Sequence, residues 1–181
     1  MTQQIKNTNV SEEKSKKCYI QARSFFLAAK RCGKDEICEE SGSNQYLPIP
    51  EYVNIAFACE LYIKVLLYIE EDIIRSHNLL HLFNRLEASK RHRVSKIMNI
   101  HEAQITKLLN QHSDMFRNMR YRFEYQQYRE SFSMPINLFY SLAESLDKVA
   151  QETIGVEPYP STNANIHYFS ELFTGNLNFT V

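Results

Sequence analysis

Glycine and proline are scarce, four and five among 181 residues, and that scarcity disfavours a turn-rich sandwich and favours long helices. Neither sign of charge is in excess, since 21 Lys and Arg balance 21 Asp and Glu. No net field therefore draws the molecule towards nucleic acid or an anionic membrane, and any such binding falls to a local patch. An uninterrupted hydrophobic run is missing too. The most apolar stretch, Val53 to Ile69, is broken by Asn54, Glu60 and Lys64, charges that are costly at mid-bilayer. It reads as a core helix, and no membrane association is expected. Met1 to Lys17 is polar and holds no apolar h-region, so the expected location is the cytoplasm.

The four cysteines, Cys18, Cys32, Cys38 and Cys59, are irregularly spaced and form no CxxC pair, which leaves neither a zinc signature nor a disulfide framework. Cys18 and Cys59 fall within apolar helical stripes and read as buried thiols. No Gly-rich phosphate loop, HExxH or GxSxG occurs, so the simplest routes to a P-loop NTPase, a metalloprotease or an α/β-hydrolase are closed. No cofactor and no metal are expected.

What is present is hydrophobic residues, 44% of the chain, at helical spacing. Ser11 is placed to cap a first helix whose opening turn carries Glu12 and Glu13. Cys18, Ala22, Phe25, Phe26 and Ala29 recur along it, and Lys30, Arg31 and Gly33 mark its end. Residues 33–49 have loop composition, and Pro50 suits the first turn of a second helix running to about Glu71. That helix is apolar almost all round, which places it at the centre of a bundle. Leu79, Leu82, Phe83 and Leu86 give a short third helix. A seam through Val94, Ile97, Met98, His101, Ile105, Leu108, His112 and Phe116 follows, with a break expected near Asn99. Ser133 and Pro135 restart a helix to about Thr153, with Phe139, Leu142, Leu146 and Val149 inward and Gly155 beyond its end. The expectation is one all-α domain over residues 1–155, followed at 156–181 by an apolar arm or small hairpin. That arm packs on its own bundle or on a partner protein.

Several constellations carry chemistry. Glu60 and Lys64 stand four apart on the central helix, in the order that favours an internal ion pair, and a functional role is the other reading. His77 and His81 have the spacing of two imidazoles on one helical face, but no carboxylate nearby completes a metal set. The preferred reading has His77 behind Ser76 at a helix start, bonded to local backbone. Phe116 to Tyr125 interleaves Arg117, Arg120 and Arg122 with aromatics, a combination that grips phosphates and stacks on bases. The same stretch also reads structurally, with Phe116, Met119 and Phe123 on the core seam and Arg120 paired to Glu124. Lys90, Arg91, His92, Arg93 and Lys96 form a second basic run, read first as a solvated face.

Three segments together resemble bacterial HEPN-domain proteins: Asn54 to Lys64 with its Glu60 and Lys64, His77-Asn-Leu-Leu-His-Leu-Phe83, and Phe116 through Arg120-Tyr121 to Glu124. The resemblance spans roughly residues 12–153. It implies an antiparallel bundle of about five to six helices that commonly forms a homodimer. Such modules are found in toxins, antiphage systems and CRISPR effectors, and often act as metal-independent endoribonucleases. The family's RNase motif is an Arg followed after four to six residues by His, and here no histidine stands at those distances from Arg117, Arg120 or Arg122. The resemblance therefore points to Arg120 with a noncontiguous His77 as the catalytic pair. Arg117, Tyr121, Arg122, Glu124, Lys64 and Glu60 would line a site for RNA or a nucleotide. The alternative it leaves is a non-catalytic dimerisation or protein-interaction module.

Overall fold

The computed structural model describes residues 2–34, 36–37, 44–45, 47–70, 72, 74–113 and 135–156. The chain is an all-α helical bundle. In order come α1 (Thr2–Cys32), a two-residue ladder of β1 (Glu36–Ile37) and β2 (Asn44–Gln45), and α2 (Pro48–Ile69). Then follow α3 (Leu79–Arg85), α4 (Ala88–Met98), α5 (Glu102–Gln111) and α6 (Ile136–Ile154).

α2 is the axis of the bundle, as its all-round apolarity requires. Ile55, Ala56, Cys59, Tyr62, Ile63, Val65 and Leu66 are fully buried on it, beneath α1, α3 and α6. It is long and apolar enough to cross a membrane by length and composition, but most of that window is covered by protein. α1 runs antiparallel to α2. Leu47 N–H donates to Cys32 O at one end, and the Ser11 hydroxyl donates to Tyr68 O at the other. α6 also runs antiparallel to α1, because Lys30 meets Glu144 and Arg23, two turns earlier, meets Asp147.

Ser11 does not cap a helix. α1 extends nine residues further back, to Thr2. A Ser followed by Glu is a local start signal. Here the Glu12–Lys16 and Glu13–Lys17 pairs, each at 2.6 Å, carry the helix through that region. The Ser11 hydroxyl is used instead on the C-terminal carbonyls of α2. α2 begins slightly earlier than its pattern suggests, with Pro48 at its first position and Pro50 still in the first turn. The 33–49 connection carries one feature its composition did not reveal, the Glu36↔Gln45 and Ile37↔Asn44 pairing. The break near Asn99 is real: Asn99 takes φ 55°, the left-handed conformation that ends α4. His101 and Gln104 then open α5 with a reciprocal capping box. Gly155, at φ 64°, closes α6. Of the arm expected at 156–181, all but Val156 lies outside the described residues.

Of the basic run on α4, His92 and Lys96 are exposed, as expected of a solvated face, while the other three residues are engaged within the fold. Lys90 pairs with Glu70 and reaches Leu66 O at 3.5 Å, and Arg91 donates to Leu86 O and to Glu102 at 2.6 Å. Arg93 binds Glu152 through both Nε and Nη2. Lys90 and Arg91 thus meet carbonyls left open at the ends of α2 and α3, where the helix dipole favours positive charge.

Gly33 joins α1 to the ladder, and a Cβ built there would stand 2.3 Å from Glu51 Oε1 and 3.2 Å from Tyr140 Oη. Glu51 is itself buried and accepts from the Tyr140 hydroxyl at 2.8 Å. Gly33→Ala is therefore expected to destabilise the fold by about 1–3 kcal/mol through overpacking. Gly155→Ala, with open space around it but a positive φ, should cost only about 1 kcal/mol. Denaturant melts of the two variants check the order.

Candidate functional site

α2 carries a carboxylate where a core helix ordinarily carries an aliphatic side chain. Glu60 is 0% exposed, and its Oε1 accepts from Lys64 Nζ at 2.7 Å, the lysine side chain being 12% exposed. The favourable Glu-before-Lys spacing brings the two heads together on one face of the helix. Beyond Ile69 the chain turns back, and His77 Nδ1 comes within 2.9 Å of the same Oε1 with its side chain 66% exposed. One oxygen of a wholly buried carboxylate thus bridges an ammonium inside the bundle and an imidazole at its surface. The second oxygen, Oε2, is buried without a hydrogen-bond partner. Since a carboxylate only accepts, the proton in the His77 contact is carried by Nδ1.

The segment that presents His77 is pinned at several points. Arg85 binds Asp72 Oδ2 through Nε at 3.0 Å and Nη2 at 2.8 Å. Asn78 N–H donates to Ser76 Oγ at 3.1 Å, and the Asn78 side chain caps α3 by accepting from His81 N–H at 2.8 Å. Leu79 N–H donates to Ser113 O at 3.0 Å, which fixes the start of α3 against the end of α5.

One expectation about His77 is corrected. It precedes the cap residue of α3, so it does not share a helical face with His81, whose Nδ1 lies 3.3 Å from Ser76 Oγ. Its ring meets the Glu60 side chain. Among the described residues no cluster of three or more His, Cys, Asp or Glu side chains is arranged to hold a metal ion.

Cys18 flanks this group from α1. Burial pushes its thiol up to about 12, with smaller opposing effects of Lys64 and Glu60, and its Sγ donates weakly to Leu61 O. A protonated, buried thiol is inert as a nucleophile. Lys14 lies 4.9 Å from the centre of the Tyr68 ring, and burial also raises the Tyr68 phenol.

Of the residues singled out from sequence, the fold brings together Glu60, Lys64 and His77. Arg117, Arg120, Tyr121, Arg122 and Glu124 lie outside the described residues. Sequence reading missed that His77 closes on Glu60. The available signal was the shortness of the connection from Ile69 to Leu79, which forces the chain back beside the helix it has just left. It also missed a second buried polar group, Arg23, Asp147, Tyr19 and Tyr62, signalled only by two tyrosines in otherwise apolar stripes.

Comparison with protein-family models, with curated proteins and with solved structures finds no match to this chain. The site is accordingly read from its own geometry.

Lys64→Met would leave the Glu60 carboxylate buried without its ammonium, and is expected to cost about 3–5 kcal/mol. Pairing it with Glu60→Leu should recover most of that loss, since the uncompensated charge is then gone; a double-mutant cycle in denaturant measures it. His112 gives a pH dependence. Burial lowers its pKa, and its ring packs edge-on to Phe139 with centroids 5.8 Å apart. The unfolded chain therefore takes up the proton first. Stability contributed by neutral His112 is intact above the ordinary imidazole range of about 6.5 and falls as pH drops through it, levelling off below the folded value. His112→Gln should flatten that limb of the stability profile.

Proposed function

We propose that this chain is a HEPN-like module of a bacterial defence, toxin or stress system that binds RNA or a nucleotide in the cytoplasm. In this reading it cleaves RNA without a metal, using His77 and Arg120, and works as a homodimer. The observation that carries it is the hydrogen bond from the exposed His77 imidazole to the wholly buried Glu60 carboxylate. A buried carboxylate on Nδ1 fixes both the tautomer and the orientation of the ring and assigns proton exchange to Nε2, which is what a general base requires. His77 Nε2 then takes the proton of a ribose 2′-hydroxyl as that oxygen attacks phosphorus. The bond to the 5′-oxygen breaks as solvent water protonates that oxygen, the protonated His77 returns its proton to the hydroxide so formed, and a 2′,3′-cyclic phosphate and a 5′-hydroxyl remain. Arg120 would stabilise charge on the phosphoryl oxygens. The tie between Leu79 and Ser113 supports the partnership, because Arg120 stands seven residues past Ser113, within about 25 Å of extended chain. Arg117, Tyr121, Arg122 and Glu124, in the same segment, would contact the bound RNA.

A second reading draws on a different observation. Lys90, Arg91 and Arg93 are all engaged in ion pairs, and Glu60 and Lys64 neutralise one another. That pattern favours a non-catalytic dimerisation or protein-interaction module, with residues 156–181 meeting the partner.

Purified protein incubated with labelled single-stranded RNA in EDTA decides between them. Cleavage to 2′,3′-cyclic phosphate ends is expected, falling at least about 100-fold in His77→Ala and in Arg120→Ala. Melting curves should show His77→Ala still folded but less stable by about 1–3 kcal/mol, because the buried Glu60 carboxylate loses a hydrogen bond. Intact RNA together with no RNA binding by the unaltered protein sinks the nuclease reading and leaves the interaction module.

A further inference from the structure

The stretch that joins α2 to α3 settles its negative charge internally and leaves one positive charge outside. Each described carboxylate along it is engaged, Glu70 by Lys90 and Asp72 by Nε and Nη2 of Arg85, and Glu60 beneath it is held by Lys64 and His77. Arg23, Arg85, Arg91 and Arg93 each hold an acidic side chain. Arg75 is exposed, and among the described residues its side chain has no ion pair or hydrogen bond. The backbone sets it beside His77. Residues 74–78 run to the start of α3 without a turn or bend, and exposure alternates along them: Ile74, Ser76 and Asn78 are half-buried, Arg75 and His77 exposed. That is the two-residue repeat of extended chain, which puts side chains i and i+2 on one side with Cα atoms about 6.6 Å apart. The bond from Asn78 N–H to Ser76 Oγ at 3.1 Å and the contact of His77 Nδ1 with Glu60 at 2.9 Å hold this course.

We propose that Arg75 and His77 form a binding pair for a phosphate group on the exposed side of this segment. A guanidinium presents its donors as a planar fork that takes two oxygens of a phosphate at once, which a lysine in that place would not do. The acidic side chains that could have quenched it from within are taken by Lys64, Lys90 and Arg85. Arg31, the other described arginine without an ion pair, is equally exposed but ends α1 near Leu47, at the end of α2 away from His77. Exposure alone does not separate the two arginines; the neighbouring imidazole does. The source of the phosphate rests on the reading above: it belongs to an RNA strand whose ribose His77 meets, and Arg75 holds that strand against the ring.

Fluorescence anisotropy of the full chain with a labelled 2′-O-methyl oligoribonucleotide, which has no 2′-hydroxyl to attack, isolates binding from cleavage. Arg75→Ala is expected to weaken binding about 10-fold. It should also flatten the slope of log K against log salt by about 0.7, the loss of one phosphate contact on a single strand. Arg75→Lys should keep the slope and lose less affinity, and Arg31→Ala should match the unaltered protein in both. All three variants should melt close to the unaltered protein, since neither arginine is engaged in the fold. In NMR, inorganic pyrophosphate should shift the Arg75 Nε–H and His77 ring signals, and the His77 shift should be lost in Arg75→Ala. RNA bound by Arg75→Ala with unchanged affinity and salt slope overturns the inference and leaves RNA binding to residues 117–124. Pyrophosphate shifting both residues in a protein that binds no RNA supports the pair and sinks the RNA reading instead. Neither ligand bound overturns both.

Discussion

A carboxylate sealed inside a helical bundle must be compensated from within the protein, and at Glu60 that requirement shapes much of the molecule. Removing an ion from water costs several kcal/mol, and only close opposite charge and hydrogen bonds return it. Lys64 answers from the next turn of the same helix, so part of the compensation is built into α2 before any tertiary contact forms. His77 answers from the returning chain, so the path between α2 and α3 is drawn in towards the helix that holds the carboxylate. The caps and ion pairs along 72–79 serve that same return.

Elsewhere charge is spent on helix ends. The Ser11 hydroxyl and the Lys90 ammonium converge on the last carbonyls of α2, and Arg91 reaches those of α3. The connections that leave α2 and α3, residues 70–78 and 86–87, contain no glycine. Few of these helices therefore end in a left-handed glycine that satisfies its own carbonyls, and side chains from neighbouring helices take that part. The consequence is that a chain without net charge still shows ion pairs that tie one element to another, as in Arg93–Glu152 between α4 and α6.

Helix positions were legible because their determinants are local. Apolar residues at threes and fours located α2 to α6, and Asn99, Pro135 and Gly155 marked their boundaries within a residue or two. The start of α1 was not legible, since a capping signature at Ser11 looks the same whether the hydroxyl turns to its own helix or, as here, to the end of another. The ladder at 36–45 is two residues long on each strand, too short for any alternation to register. At the site, the Glu60–Lys64 pair could be read from a spacing of four. The role of His77 could not, because it depends on the course of a loop that brings together positions seventeen residues apart. The Tyr19, Tyr62 and Asp147 group was harder still, being assembled from three helices with nothing in any one of them to announce the others.

The join between α1 and α2 has a practical consequence for anyone handling this protein. Leu47 is stapled to Cys32 there, at the end of α2 opposite Lys64 and His77. Sixteen helical residues, about 24 Å, separate Pro48 from Lys64. An affinity tag or fluorophore inserted between Ile37 and Asn44 would thus enter the molecule at the far pole from the histidine. It offers a place to immobilise or report on the bundle without crowding the face on which its chemistry would be measured.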